Sequence, residues 1–173
     1  MKTLANNGWR EEKKDGVITF TLLSPGMTKF EWVDHLERKG KLISPWAYEA
    51  LLSSDFEPCP KGTVHHISVL NGMFWRHEDR TVAKVCEEGS ARLYHEPHPE
   101  TGCIILDSLD YSKFYKMGIA IFMPMHKPIR LDDGKLCYLS PRVFDKKPSL
   151  FAYGNVLTCH PARQLGFAFG YSK

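Results

Sequence analysis

The sequence predicts an α+β fold: one mostly antiparallel sheet of five to seven strands, with helices packed on one face. Three observations carry that prediction. The 173 residues are 43% apolar and 25% charged, the balance of an ordinary globular domain. Stretches rich in β-branched and aromatic residues recur along the chain, and the late ones follow one another as hairpin partners would. Helical patterns fall between the early strands only, which favours α+β over a doubly wound α/β sheet.

Residues 1–15 read as a polar lead-in and residues 16–173 as a single globular domain, with Trp9 the residue that would pin the lead-in to the body. GVITFTLLS (16–24) reads as a strand. SPGMT turns the chain, and Thr28 with Glu31 forms a T-x-x-E capping box that starts a helix. In KFEWVDHLERKG, Phe30, Val33 and Leu36 fall at helical spacing and predict the core-facing stripe, which Gly40 ends. Ser44-Pro45 opens a second helix bearing Trp46, Ala50 and Leu51, and SSDFEPCPKG breaks it.

TVHHISVLNG (63–72) alternates as a second strand, and Asn71-Gly72 predicts a hairpin onto MFWRH. VAKVCEEGSARLY predicts a third helix with Val82, Val85 and Cys86 inward, weakened and ended at Gly89. CIIL reads as a short strand, and SLDYSKFYKMG as a short helix ending at Gly118. IAIFMPM is continuously apolar, so it is expected at the sheet centre. Asp133-Gly134 turns the chain into LCYLS, and SLFAYGNV and LGFAFGYS supply two closing strands.

Charge and cysteine content narrow the function. A net charge of +3 is too small to imply a nucleic-acid or membrane partner, but its distribution is uneven. Residues 78–110 carry eight acids against three bases, and residues 113–147 eight bases against three acids. Five cysteines (59, 86, 103, 137 and 159) with no C-x-x-C pair, and a polar start without an apolar core segment, read as reduced thiols in a cytoplasmic protein. The longest apolar run, GIAIFMPM, is too short to span a bilayer.

SPGMTKFEWVDHLERKGKLISPWAYEALLSSDFEP, KMGIAIFMPMHKPIRLDDGKLCYL and the terminal GFAFGYS together resemble a group of small bacterial proteins of uncharacterised function. That group similarly pairs an early T-x-x-x-W helix with a later hairpin of the form MG–apolar strand–M-H-x-P-I–D-G. The resemblance covers about half of the chain. It implies a single compact domain and carries no activity with it. The His/Pro segment and Cys159-His160 have no counterpart in it.

That His/Pro segment, LYHEPHPETGC, offers the first candidate site. His95, His98 and Cys103 follow H-x2-H-x4-C spacing, all three being ligand types that zinc accepts. Cys159-His160 or Cys59, with His65 or His66, would have to close such a site in space. Pro97 and Pro99 stiffen the loop and splay its side chains, so an exposed loop with free imidazoles is the favoured reading over a zinc cofactor.

Cys103 and Cys159, near turn residues, are the better nucleophile candidates, whereas Cys86 and Cys137 read as small core residues. His126, Lys127 and Arg130 follow the apolar strand and would hold an anionic ligand or partner, and Trp75 would anchor an interface. Of His65 and His66, alternation places one ring under the helices and one outside.

No G-x-S-x-G, G-x-G-x-x-G or G-x-x-x-x-G-K-[ST] is present, which removes the common serine hydrolases and nucleotide-driven enzymes. The leading expectation is therefore a non-catalytic cytoplasmic domain that binds a macromolecule, most readily a protein. A small metal-dependent or Cys/His hydrolase is second. Third is nucleic-acid binding through the basic 113–147 segment, whose lysines and arginines are interleaved with Phe114, Tyr115, Tyr138 and Phe144.

Overall fold

Period-2 alternation in this chain becomes one open, mixed sheet of eight strands. The computed structural model describes residues 12–14, 17–108, 112, 116, 118–154 and 164–172. Trp9, most of the helix expected up to Gly118, and Cys159-His160 lie outside the described residues. The strands are β1 (Glu12–Lys14), β2 (Val17–Leu23), β3 (Leu42–Ile43), β4 (Val64–Asn71), β5 (Ile121–Pro124), β6 (Ile129–Arg130), β7 (Leu136–Phe144), β8 (Lys147–Tyr153) and β9 (Leu165–Gly170). The helices are α1 (Lys29–Arg38), α2 (Pro45–Leu52), α3 (Val82–Ala91) and α4 (Thr101–Ser108). No helix among the described residues is long and apolar enough to cross a membrane.

The sheet order is β1-β2-β4-β9-β5-β7-β8-β3, with β6 pairing alongside β7. This corrects the expected sheet in two ways. It has eight strands on one path, and it is mixed, because β5 runs parallel to β9 and β3 parallel to β8. The reason lies in β9. The last two strands do not close on each other; β9 instead inserts between β4 and β5. As expected of its apolar run, β5 is central.

Helices cover both faces, not one. On the first face Ile18, Phe20, Leu22, Ile67, Val69, Phe122, Leu139 and Ala168 pack with residues of α1, α2 and α4. On the second, Val17, Leu70, Met123, Leu165, Phe167 and Phe169 pack with Val85 of α3 and with Trp75. Every position of β9 is therefore buried.

Local differences have physical causes. The capping box of α1 forms as read, with Thr28 and Glu31 exchanging hydrogen bonds. Its buried stripe is Trp32, Val33 and Leu36, while Phe30 is 74% exposed. CIIL is not a strand; it belongs to α4, whose residues Thr101–Leu106 are all buried. A short run that is apolar all round fits a buried helix as well as a buried strand.

MFWRH does not pair with β4, because β2 and β9 already occupy both its edges. Gly72–Phe74 forms a 3-10 turn instead, capped by Asn71. α3 continues through Gly89 to Ala91, because the Phe169 ring lies 2.5 Å from where a Cβ at residue 89 would stand. Glycine is there for close approach, and the helix tolerates it.

Candidate metal centre

The end of β2, the start of β4 and the turn into α4 meet on the first face of the sheet. Cross-strand pairing sets Leu22 opposite His65 and Thr21 opposite His66, so the two rings take opposite faces. His66 lies on the second face, hydrogen-bonded to Thr21 Oγ1 at 3.0 Å and 5.6 Å from the Tyr171 ring. His65 turns to the first face, toward Cys59 in the loop before β4 and Glu100 at the head of α4. One ligand atom from each of Cys59, His65 and Glu100 lies within 4.8 Å of the other two.

Glu100 organises the cluster. Its side chain is fully buried. Oε1 accepts from Trp32 Nε1 at 2.8 Å and from Ser24 Oγ at 3.2 Å, and Oε2 accepts from the Cys59 N–H at 3.0 Å. All three partners donate, which suits a carboxylate, an acceptor-only group. The Ser24 hydroxyl also lies 3.1 Å from the Cys59 carbonyl, so its single proton is shared between that oxygen and Glu100, and its backbone N–H and carbonyl bond Thr63 and Gly62. Gly26, at φ +73°, passes so close to Lys61 that a Cβ would lie 2.5 Å from the lysine Cβ. The Cys59 loop is thus tied to the end of β2 along its length.

The electrostatics leave the thiol and one imidazole nitrogen without compensation. Burial, reinforced by the Glu100 carboxylate, pushes the Cys59 thiol up to about 11. A thiol held there is protonated at neutral pH and is a poor nucleophile. Burial also pulls the His65 imidazole below its ordinary range, against the attraction of Glu100. Its Nε2 is shielded from water and has no hydrogen-bond partner among the described residues.

His98 stands beside it, ring centroids 6.1 Å apart, and accepts the Glu100 N–H on Nδ1 at 3.2 Å. The neutral His98 ring therefore carries its proton on Nε2 and presents a donor there.

The expected trio of His95, His98 and Cys103 is not assembled, which corrects the spacing argument. His95 forms a two-way backbone bridge with Gly170, each N–H···O 2.9 Å, which leaves its side chain exposed with the ring over that glycine. Cys103 is buried in α4, and burial raises its thiol well above the ordinary range, so it is no better a nucleophile than a core residue. Of the three, His98 borders the cluster through His65 and the Glu100 N–H. Cys59 and His65 were readable as closing ligands, but Glu100 was missed. A lone glutamate after His98-Pro99 gives no signal in sequence, and its placement depends on Trp32 from another helix.

The other candidates are dispersed. His126 is 1% exposed. It donates from Nδ1 to the Lys127 carbonyl at 2.7 Å and accepts the Leu139 N–H on Nε2 at 2.9 Å, so both nitrogens serve the fold. Lys127 and Arg130 point out, away from that ring. Trp75 is half-buried, edge-on to Phe167 at 5.2 Å. It walls a cleft of about 310 Å³ with Asp79, Lys84, Glu87, Glu88 and Ala91.

Fold and site define a mixed-sheet α+β domain carrying a buried Cys/His/Glu cluster. No protein-family model matches the chain, and neither a search of curated proteins nor one of solved structures finds a match.

Proposed function

We propose that the protein binds one zinc-class metal ion through Cys59, His65 and Glu100. The observation that carries the proposal is a thiol, an imidazole and a buried carboxylate with ligand atoms within 4.8 Å of one another. Buried charges in proteins are paired or coordinate metals, and a cation here would meet the carboxylate, an imidazole nitrogen and the thiolate together.

Thiolate, imidazole and carboxylate are a donor set that zinc accepts. Cys59 is partly exposed whereas His65 and Glu100 are buried at the cluster, so solvent reaches it from the Cys59 side. Three protein ligands with an open fourth position are the arrangement of catalytic zinc sites, where the ion lowers the pKa of a bound water. The neutral His98 ring, with its proton on Nε2, stands 6.1 Å from the His65 ring beside this site. On this reading the chain is a metal-dependent domain, and metal-assisted hydrolysis is the reaction class the site supports.

Titration of chelator-treated protein with zinc and cobalt tests it. One equivalent should bind, with cobalt giving a thiolate charge-transfer band that Cys59→Ser abolishes. His65→Ala should weaken binding by at least about 100-fold, since even losing a hydrogen-bond partner of a ligand costs about 10–100-fold. An absent band, or affinity unchanged in both variants, overturns the proposal.

A further inference from the structure

A second surface lies on the opposite side of the sheet, at its β7–β8–β3 end, and is independent of the metal cluster. Register places Tyr138, Ser140, Arg142 and Phe144 of β7 on the same face as Tyr153, Phe151, Ser149 and Lys147 of β8. Tyr138 belongs to the α3-side core, so this is the second face. The pairing of β3 with β8 adds Leu42 to it.

Phe144 is 49% exposed and Leu42 42% exposed, and Phe151 and Tyr153 are half-buried. The rings form a row: Phe144 to Phe151 at 5.7 Å, then Phe151 to Tyr153 at 6.3 Å and 22° between planes. The Arg142 guanidinium lies 4.6 Å from the Phe151 centroid and 5.4 Å from that of Phe144, and donates to the Tyr153 hydroxyl.

At the tip of this hairpin, Asp145 and Lys146 adopt positive φ of 47° and 59°, which turns the chain in two residues and sets Lys146 and Lys147 beside Phe144. Along this hairpin, residues 136–153, three cations, Arg142, Lys146 and Lys147, stand against the single carboxylate of Asp145. A core-building purpose does not account for an exposed phenylalanine at a lysine-rich turn.

We propose that this face binds single-stranded nucleic acid, with a base stacking on the exposed Phe144 ring and phosphates held by Lys146, Lys147 and Arg142. Stacking needs exposed ring faces and tolerates any base, and the cations supply the backbone attraction. A duplex keeps its bases stacked internally and cannot use the rings. An acidic protein would use the cations and leave the rings idle.

Fluorescence anisotropy of the full chain with a short labelled oligothymidylate or oligouridylate, at low salt, tests this. Binding is expected, falling with salt, and weaker for a duplex of the same length. Phe144→Leu keeps the apolar bulk and should weaken binding at least about fivefold, whereas Phe144→Trp should restore it. Lys147→Glu should weaken binding and reduce the slope of log affinity against log salt by about 1. Circular dichroism checks that each variant folds. No binding at low salt, equal affinity for duplex, or sensitivity to Lys147→Glu without sensitivity to Phe144→Leu overturns the proposal, the last pointing to charge-only attraction of an acidic partner.

Discussion

Acid should loosen this protein through His126. The ring bridges a gap that the sheet leaves open: β7 pairs with β5 only at Ile121–Arg142 and with β6 at Ile129–Cys137 and Arg130–Leu136, and between them the Leu139 N–H goes to His126 Nε2. Protonation would put a second donor against that N–H. Complete burial pulls the imidazole down to about 4, partly offset by its bond to the Lys127 carbonyl.

The sign follows from the folded pKa lying below the unfolded value of about 6.5. The contribution is fully present above pH 6.5, shrinks as pH falls, and is gone below about 4. Each pH unit of that gap is worth 1.36 kcal/mol, so the whole is about 3 kcal/mol, of which about 2 kcal/mol is lost by pH 5.

Carboxylates also titrate in this range, so the comparison is with His126→Gln, whose Oε1 can still accept from Leu139. Urea unfolding at pH 7 and pH 5 measures both proteins, and with a slope of about 2 kcal/mol per molar the His126 contribution shifts the wild-type midpoint by about 1 M. The variant should be the less stable at pH 7, by about 1 kcal/mol for the lost Nδ1 donor, and the difference should close or reverse at pH 5. A stability difference identical at the two pH values would refute the assignment.

Trp32→Phe removes one of three donors to a buried carboxylate and should cost about 2 kcal/mol in urea unfolding, more than a surface change of equal size. Gly89→Ala should destabilise by about 1 kcal/mol, since crowding of the Phe169 ring outweighs the gain in helix propensity. Lys146→Gly relieves a left-handed non-glycine turn and should stabilise by about 1 kcal/mol in thermal or urea unfolding, while weakening oligonucleotide binding. Zinc affinity, measured by competition with a chelator, should fall about tenfold per pH unit below neutrality for each proton that binding must displace, the Cys59 thiol proton being one.

Much of the fold was legible because local signals and tertiary context agree. Thr28–Glu31 and Ser44-Pro45 start α1 and α2 where their caps require, and the apolar run at Ile121–Pro124 is central because neither face meets water. Legibility failed where the deciding partner is distant. CIIL carries no mark that tells a buried helix from a buried strand, and Gly89 looks like a break until Phe169 is seen against it. The β7–β8 turn at Asp145-Lys146 has no glycine to announce it. The candidate site was half legible: thiol and imidazole ligands stand out in sequence, but which of them converge depends on Glu100, and on which face of β4 each histidine takes.

The position of β9 also governs when the molecule can be finished. Strands β1, β2 and β4 make one group and β5, β7, β8 and β3 another, and β9 is the strand that joins them. Among the described strands it is also the last to leave the ribosome. Until it emerges, β4 and β5 each offer an open apolar edge, the kind of edge that recruits foreign strands. A nascent chain must therefore hold its two half-sheets side by side until a six-residue clasp, made after both of them, slots between.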